Sequence, residues 1–230
     1  EPFYFMGGAI DMGGIFSVDG PLMQVLNKLA DLLALSVLWL IGCLPVVTIG
    51  ASTTALYYAV IKMIHGEGRV SSNFFKSYKQ NLKQAIAVEL IMAVAGLILF
   101  IDFRYAFAMQ GAFAEFLSIA TFCMLIIYAA LLSYLFPLLS RFYYTTGVLF
   151  KNAALIALLN LPYTIVILLL NLLPWLLFFL RMDWFFRLMP VIVFLVPGLT
   201  AYVNSLMFLR IFRKYTPKEV LEEEEKKLAQ

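Results

Sequence analysis

Apolar residues run along this chain in long blocks separated by short polar ones. A helix rising about 1.5 Å per residue needs about 20 apolar residues to cross the hydrocarbon core of a bilayer. Four blocks meet or approach that length: Ala85–Ile101, Leu117–Leu139, Ala153–Leu180 and Leu188–Ile211. Two more precede them. Leu22–Leu44 carries Asn27, Lys28 and Asp31 in its first turns, and Pro45–Ile64 is small and hydroxyl-rich in its first half. Counting all six predicts an all-α, polytopic helical membrane protein with six transmembrane helices. Reading the front as one long bent segment gives five spans and places the N-terminus outside.

Composition agrees with the pattern. Hydrophobic residues make up 63% of the 230 and charged residues 13%, against roughly 45–50% and about 25% in soluble domains. Mean hydropathy is +0.91. A chain this short cannot bury so much apolar surface in one aqueous core. The two cysteines, Cys43 and Cys123, both fall in apolar runs, where thiols behave as small hydrophobes. The N-terminal stretch lacks the basic start and small-residue cleavage site of a signal peptide.

The charges then orient the spans, since basic residues collect in cytoplasmic loops. With six spans, Lys62, Arg69, Lys76, Lys79 and Lys83 share one inner loop, and the C-terminal segment holds another basic group from Arg210 onward. Only Arg104, Arg181 and Arg187 of the 17 basic residues then lie outside. This predicts both termini in the cytoplasm, with an N-terminal segment 1–19, a membrane domain 20–213 and a charged tail 214–230.

Within that frame "CLPVVTIGAST", Cys43–Thr53, is expected as the outer turn of a hairpin. Pro45 ends the first helix near Leu44, and Thr48 or Ser52 caps the second. Gly50, Thr54 and Tyr58 recur every four residues, as do Ala51, Ala55 and Ala59. Such a stripe of small residues lets another helix approach closely, so Gly50, Ala51, Thr54, Ala55 and Tyr58 are the candidate helix-packing or partner-contact face.

"SSNFFKSYKQNLKQ", residues 71–84, reads as a cytoplasmic amphipathic helix between the second and third spans. Phe74, Phe75, Tyr78 and Leu82 share one face, and Lys76, Lys79 and Lys83 spread over the rest. That pattern suits the surface of an anionic leaflet or a docking partner. Polar residues inside spans are the remaining candidates: Glu89, with Asn160 and Asn171, forms a possible intramembrane site. Asn204 and Ser205 punctuate the last span. Asparagine amides commonly bond between helices, and Glu89 alone makes a thin ion path.

Catalysis finds little support. The one histidine, His65, sits in "HGEGR" at a helix end and reads as a span closure. No cluster of His, Cys and carboxylates has metal-ligand spacing, and Gly66 and Gly68 alone make no phosphate loop. No catalytic residue, cofactor or metal site is predicted. The tail "TPKEVLEEEEKKLAQ" reads as a solvated helix capped by Thr216 and Pro217, with Glu222–Lys226 and Glu223–Lys227 paired.

The run "GPLMQVLNKLADLLALSVLWLIGCLPVVTIGASTTALYYAVIKM", Gly20–Met63, resembles the YesL-like bacterial membrane proteins, a family whose domain has no assigned function. "FFKSYKQNLKQA" and "FPLLSRFYYTTGVLFKNAALIALLNLP" are similar to that family's two inner loops, and the likeness extends over most of Gly20–Arg213. Such proteins are typically encoded beside carbohydrate ABC importers in Gram-positive bacteria. The resemblance therefore implies a non-enzymatic accessory subunit of oligosaccharide import whose partners are the importer's permease subunits. It carries over no catalytic residues. A self-sufficient transporter or channel with Glu89 as coupling group is the alternative, and a membrane regulator or assembly factor a further one.

Overall fold

A computed structural model describes residues 21–215. The expectations for residues 1–19 and for the tail beyond Tyr215 lie outside the described residues. Helices account for nearly all of the described chain: α1 (Pro21–Gly42), α2 (Ile49–Ile64), α3 (Val70–Ala108), α4 (Ala112–Arg141), α5 (Thr146–Leu159), α6 (Leu161–Leu180), α7 (Met182–Arg187), α8 (Met189–Phe194) and α9 (Val196–Arg213). Among the described residues, five segments are long and apolar enough to cross a membrane: Leu22–Gly42, Val46–Ile64, Val70–Ala108, Ala112–Arg141 and Leu161–Leu180.

The breaks between helices have local causes. Gly66 and Gly68 take positive φ values of 70° and 69° in the α2–α3 turn, and Gly111 takes 101° before α4, a region costly for residues with a Cβ. The expected fifth block is divided at Asn160, whose backbone leaves the helix at φ −122°, ψ 44°. Pro162 follows in the first turn of α6, where its missing N–H costs nothing. The expected sixth block is likewise divided at Leu195, with Pro197 just inside α9.

The stretch 71–84, expected as an interfacial helix, runs into the third span without a break. It is the first part of α3, which continues for 39 residues, about 58 Å. No proline interrupts Val70–Ala108, and the apolar positions keep helical spacing throughout. Phe74, Ser77, Asn81, Ala85, Val88 and Met92 form its buried face, which packs on α2 and α4. Phe74 is therefore a core residue rather than a foot in the membrane, and Tyr78 and Leu82 pack against the same core. Phe75 and the three lysines Lys76, Lys79 and Lys83 remain exposed.

At the centre lies α2, in contact with α1, α3, α4 and α9. Its small residues make this possible. A methyl group added at Gly50 would meet Phe136 at 2.5 Å and the Ala85 carbonyl oxygen at 3.2 Å. Ala51, Thr54, Ala55 and Ala59 are fully buried. The stripe of small residues is occupied by the chain's own helices, so a contact with another protein has to use a different face. The outer helices show the opposite pattern. Leu90, Val94, Leu97 and Ile101 on α3, with Phe116, Ile119 and Phe122 on α4, are exposed apolar side chains, as lipid-facing positions require.

Candidate functional site: the polar seam between the helices

Glu89 sits near the middle of α3, and its Oε2 accepts a hydrogen bond from the Gly50 N–H at 2.9 Å. Gly50 is the second residue of α2, where backbone donors have no partner within the helix. The carboxylate thus serves as a cap supplied by another helix. This corrects the expectation that Thr48 or Ser52 caps α2. The Thr48 hydroxyl lies 2.8 Å from the carbonyls of both Gly42 and Pro45, and the Ser52 hydroxyl donates to the Trp39 carbonyl at 2.8 Å. Both hydroxyls point back to the end of α1 and its turn. They donate to carbonyl oxygens, whereas a capping hydroxyl accepts from a free backbone N–H.

Asn171 belongs to a second group. Its Nδ2 donates to Ser133 Oγ on α4 at 3.1 Å, and its Oδ1 accepts from Asn204 Nδ2 on α9 at 3.0 Å. The Asn204 amide also reaches the Tyr57 hydroxyl on α2 at 3.2 Å. One amide pair therefore joins α2, α4, α6 and α9. Tyr57 and Asn171 also line a cavity of about 420 Å³ between α1, α2, α6 and the α7–α9 segment, with Trp39, Trp175 and Phe185 on its walls. Asn204 Oδ1 and Ser205 Oγ are buried without a hydrogen-bond partner.

Asn160 stands apart from both groups. Its Nδ2 lies 2.9 Å from the Ile156 carbonyl and 3.1 Å from the Tyr215 hydroxyl, tying the α5–α6 break to the segment just past α9. Glu89, Asn160 and Asn171 are thus three separate fastenings rather than one site. Two further ties escaped sequence reasoning. Ser36 Oγ donates to Leu32 O at 3.0 Å and accepts from Gly198 N–H at 2.9 Å. Tyr134 and Thr164 pair through their hydroxyls at 2.8 Å. Serines and tyrosines within apolar helices were the available signal, but nothing in the sequence says which would meet.

Outside the bundle, the Arg181 guanidinium hydrogen-bonds to the Asp183 carboxyl and holds it below the ordinary aspartate value. Among the described residues, no three His, Cys, Asp or Glu side chains come together as a metal site would require.

Long apolar helices joined by sparse internal hydrogen bonds define a multi-pass helical membrane protein. Residues 32–103 match the model of a family described as "Protein of unknown function, DUF624". The matched region runs from α1 through most of α3, including the Gly50–Glu89 contact, and the YesL-like resemblance is consistent with it. No curated protein and no solved structure matches the chain.

Proposed function

We propose that this chain is a non-enzymatic accessory subunit of a bacterial carbohydrate importer, seated in the plasma membrane against the permease. The observation that carries this reading is the use made of the polar side chains within the bundle. Glu89, Asn171, Asn204, Ser36 and Thr164 each bond to another helix or to a helix end of the same chain. Such groups fasten a scaffold; a translocation path would leave them facing a continuous aqueous route. The resemblance to the YesL-like family supplies the importer. Contact with the permease would use the exposed apolar faces of α3 and α4, since α2 is enclosed.

In this reading the membrane is crossed six times, with both termini in the cytoplasm. The α1–α2 hairpin supplies two crossings, and α8 with α9 forms the last. Support comes from α9 itself: Gly198 meets Ser36 of α1, Phe208 meets Tyr57 and Tyr134, and Phe212 meets Phe142 just past α4.

The deciding experiment is purification of the tagged full chain from native membranes in mild detergent, followed by mass spectrometry. Stoichiometric permease and ATPase subunits are expected. Recovery of the chain alone, or only as a self-oligomer, would overturn the accessory reading and make the independent transporter the leading case.

A further inference from the structure

The cavity of about 420 Å³ between α1, α2, α6 and the α7–α9 segment is graded along its depth. Trp175 on its wall is 61% exposed, whereas Tyr57 is 7% exposed. Since α2 starts at Ile49, Tyr57 lies about 12 Å in from that helix end. Asn171 lies about 14 Å in from the end of α6 at Leu180. Trp39 and Trp175, by contrast, stand within the last two turns of α1 and α6. Among the described residues that line the cavity, none is charged. The polar groups are few. Trp39 Nε1 donates to Thr53 Oγ1 at 3.1 Å, and Thr200 adds a hydroxyl from α9. The Tyr57 oxygen accepts from the Asn204 amide at 3.2 Å. Its own proton is thereby left for an acceptor in the cavity.

We propose that this cavity binds a small uncharged aromatic molecule, which accepts one hydrogen bond from the Tyr57 hydroxyl. Walls without charge exclude an ionic ligand, because nothing there would offset its lost hydration. The rings of Trp39, Trp175 and Phe185 offer faces and edges on which a flat ring packs. The volume falls within the range of small-molecule pockets, about 300–1,000 Å³, whose walls are mostly apolar with a few polar groups. A membrane lipid fits the gradient badly. Its polar group stays at the head-group boundary, whereas the donor here lies about 12 Å inward. An acyl chain alone would leave the Tyr57 proton unused, at a cost. The site is independent of whether the chain serves an importer.

The test uses the full chain in nanodiscs. Benzophenone serves as the photoreactive probe, being uncharged, with two rings and one carbonyl acceptor. After irradiation, proteolysis and mass spectrometry are expected to find it on peptides carrying Trp39, Tyr57 and Pro174. The competitors are fluorenone and fluorene, which differ by one carbonyl oxygen and are compared at equal concentration in the bilayer. Fluorenone should suppress labelling at a concentration about five- to tenfold lower, the scale of one hydrogen bond. Tyr57→Phe should bring the two competitors within about twofold of each other. Gel filtration checks folding. Val193→Trp, which fills the cavity from half-buried Val193 on α8, should remove most of the labelling and replaces Tyr57→Phe should that variant fail to fold. Labelling spread over the exposed faces of α3 and α4 would overturn the proposal, as would labelling undiminished in Val193→Trp. So would a fluorenone preference that survives Tyr57→Phe. Equal competition by fluorene and fluorenone would also overturn it, marking the cavity as space for lipid chains.

Discussion

Ser36 and Ser205 are both fully buried serines, and they differ in what surrounds the hydroxyl. Ser36 bridges the Leu32 carbonyl and the Gly198 N–H, a donor in the first turn of α9 with no partner inside that helix. A methyl group at Gly198 would meet the Leu32 carbonyl oxygen at 2.5 Å, so the two helices touch backbone to backbone there. Ser36→Ala strands a buried donor and is expected to lower stability by about 1–2 kcal/mol. Ser205→Ala removes a hydroxyl that has no partner, and is expected to be neutral or stabilising. Thermal unfolding in detergent distinguishes them; equal losses would contradict the assignment. The sequence marks Ser205 as a polar intruder in an apolar run. It cannot mark the partner of Ser36, which lies 162 residues away.

Among the elements, α2 draws its cap from the middle of another helix, as α9 does from Ser36. Glu89→Ala removes the acceptor for Gly50 N–H and is expected to cost about 0.5–2 kcal/mol, as loss of a helix cap does. Glu89→Gln keeps an acceptor oxygen and is expected to retain more than half of that stability in the same unfolding assay. A glutamine variant as unstable as the alanine one would show that the charge itself is needed. Much of the element structure is legible beforehand. Long apolar blocks, Pro45, the glycines after Ile64 and Pro162 mark where helices begin and end. The lysines of 71–84 mislead because a charged face resembles a membrane-surface helix, while the decisive signal is the unbroken helical spacing that carries α3 onward to Ala108. Capping is illegible for a different reason. Thr48 stands at the N-cap and Ser52 one turn inside α2, but the turn directs both hydroxyls toward the end of α1.

For the molecule as a whole, orientation is the quantity most open to direct test. Single cysteines placed in a variant lacking Cys43 and Cys123 report which side each loop faces. With both termini inside, Gln110→Cys is expected to react with an impermeant maleimide in intact cells. Ser72→Cys and Lys214→Cys are expected to react only after permeabilisation; the reverse pattern would overturn the orientation, and labelling of Lys214→Cys from outside would remove the sixth crossing. Charge placement makes the expectation possible, because basic residues concentrate in few loops. The internal arrangement was less accessible. That α2 is enclosed while α3, α4 and α6 keep apolar faces outward depends on pairings such as Gly50 with Phe136 and Tyr57 with Phe208, which join positions far apart in the chain.

The contact between Gly50 and Glu89 also sets an order of events during synthesis. Thirty-nine residues separate the two, so at about 5–20 residues per second the ribosome makes the acceptor some 2–8 s after the donor. Until then the start of α2 has an unclaimed backbone N–H, and the hairpin is better placed at the water-exposed boundary than in lipid. The arrival of α3 supplies the missing carboxylate and removes that cost. The first three helices are therefore expected to reach their final positions together, with α3 completing the placement of the segment before it.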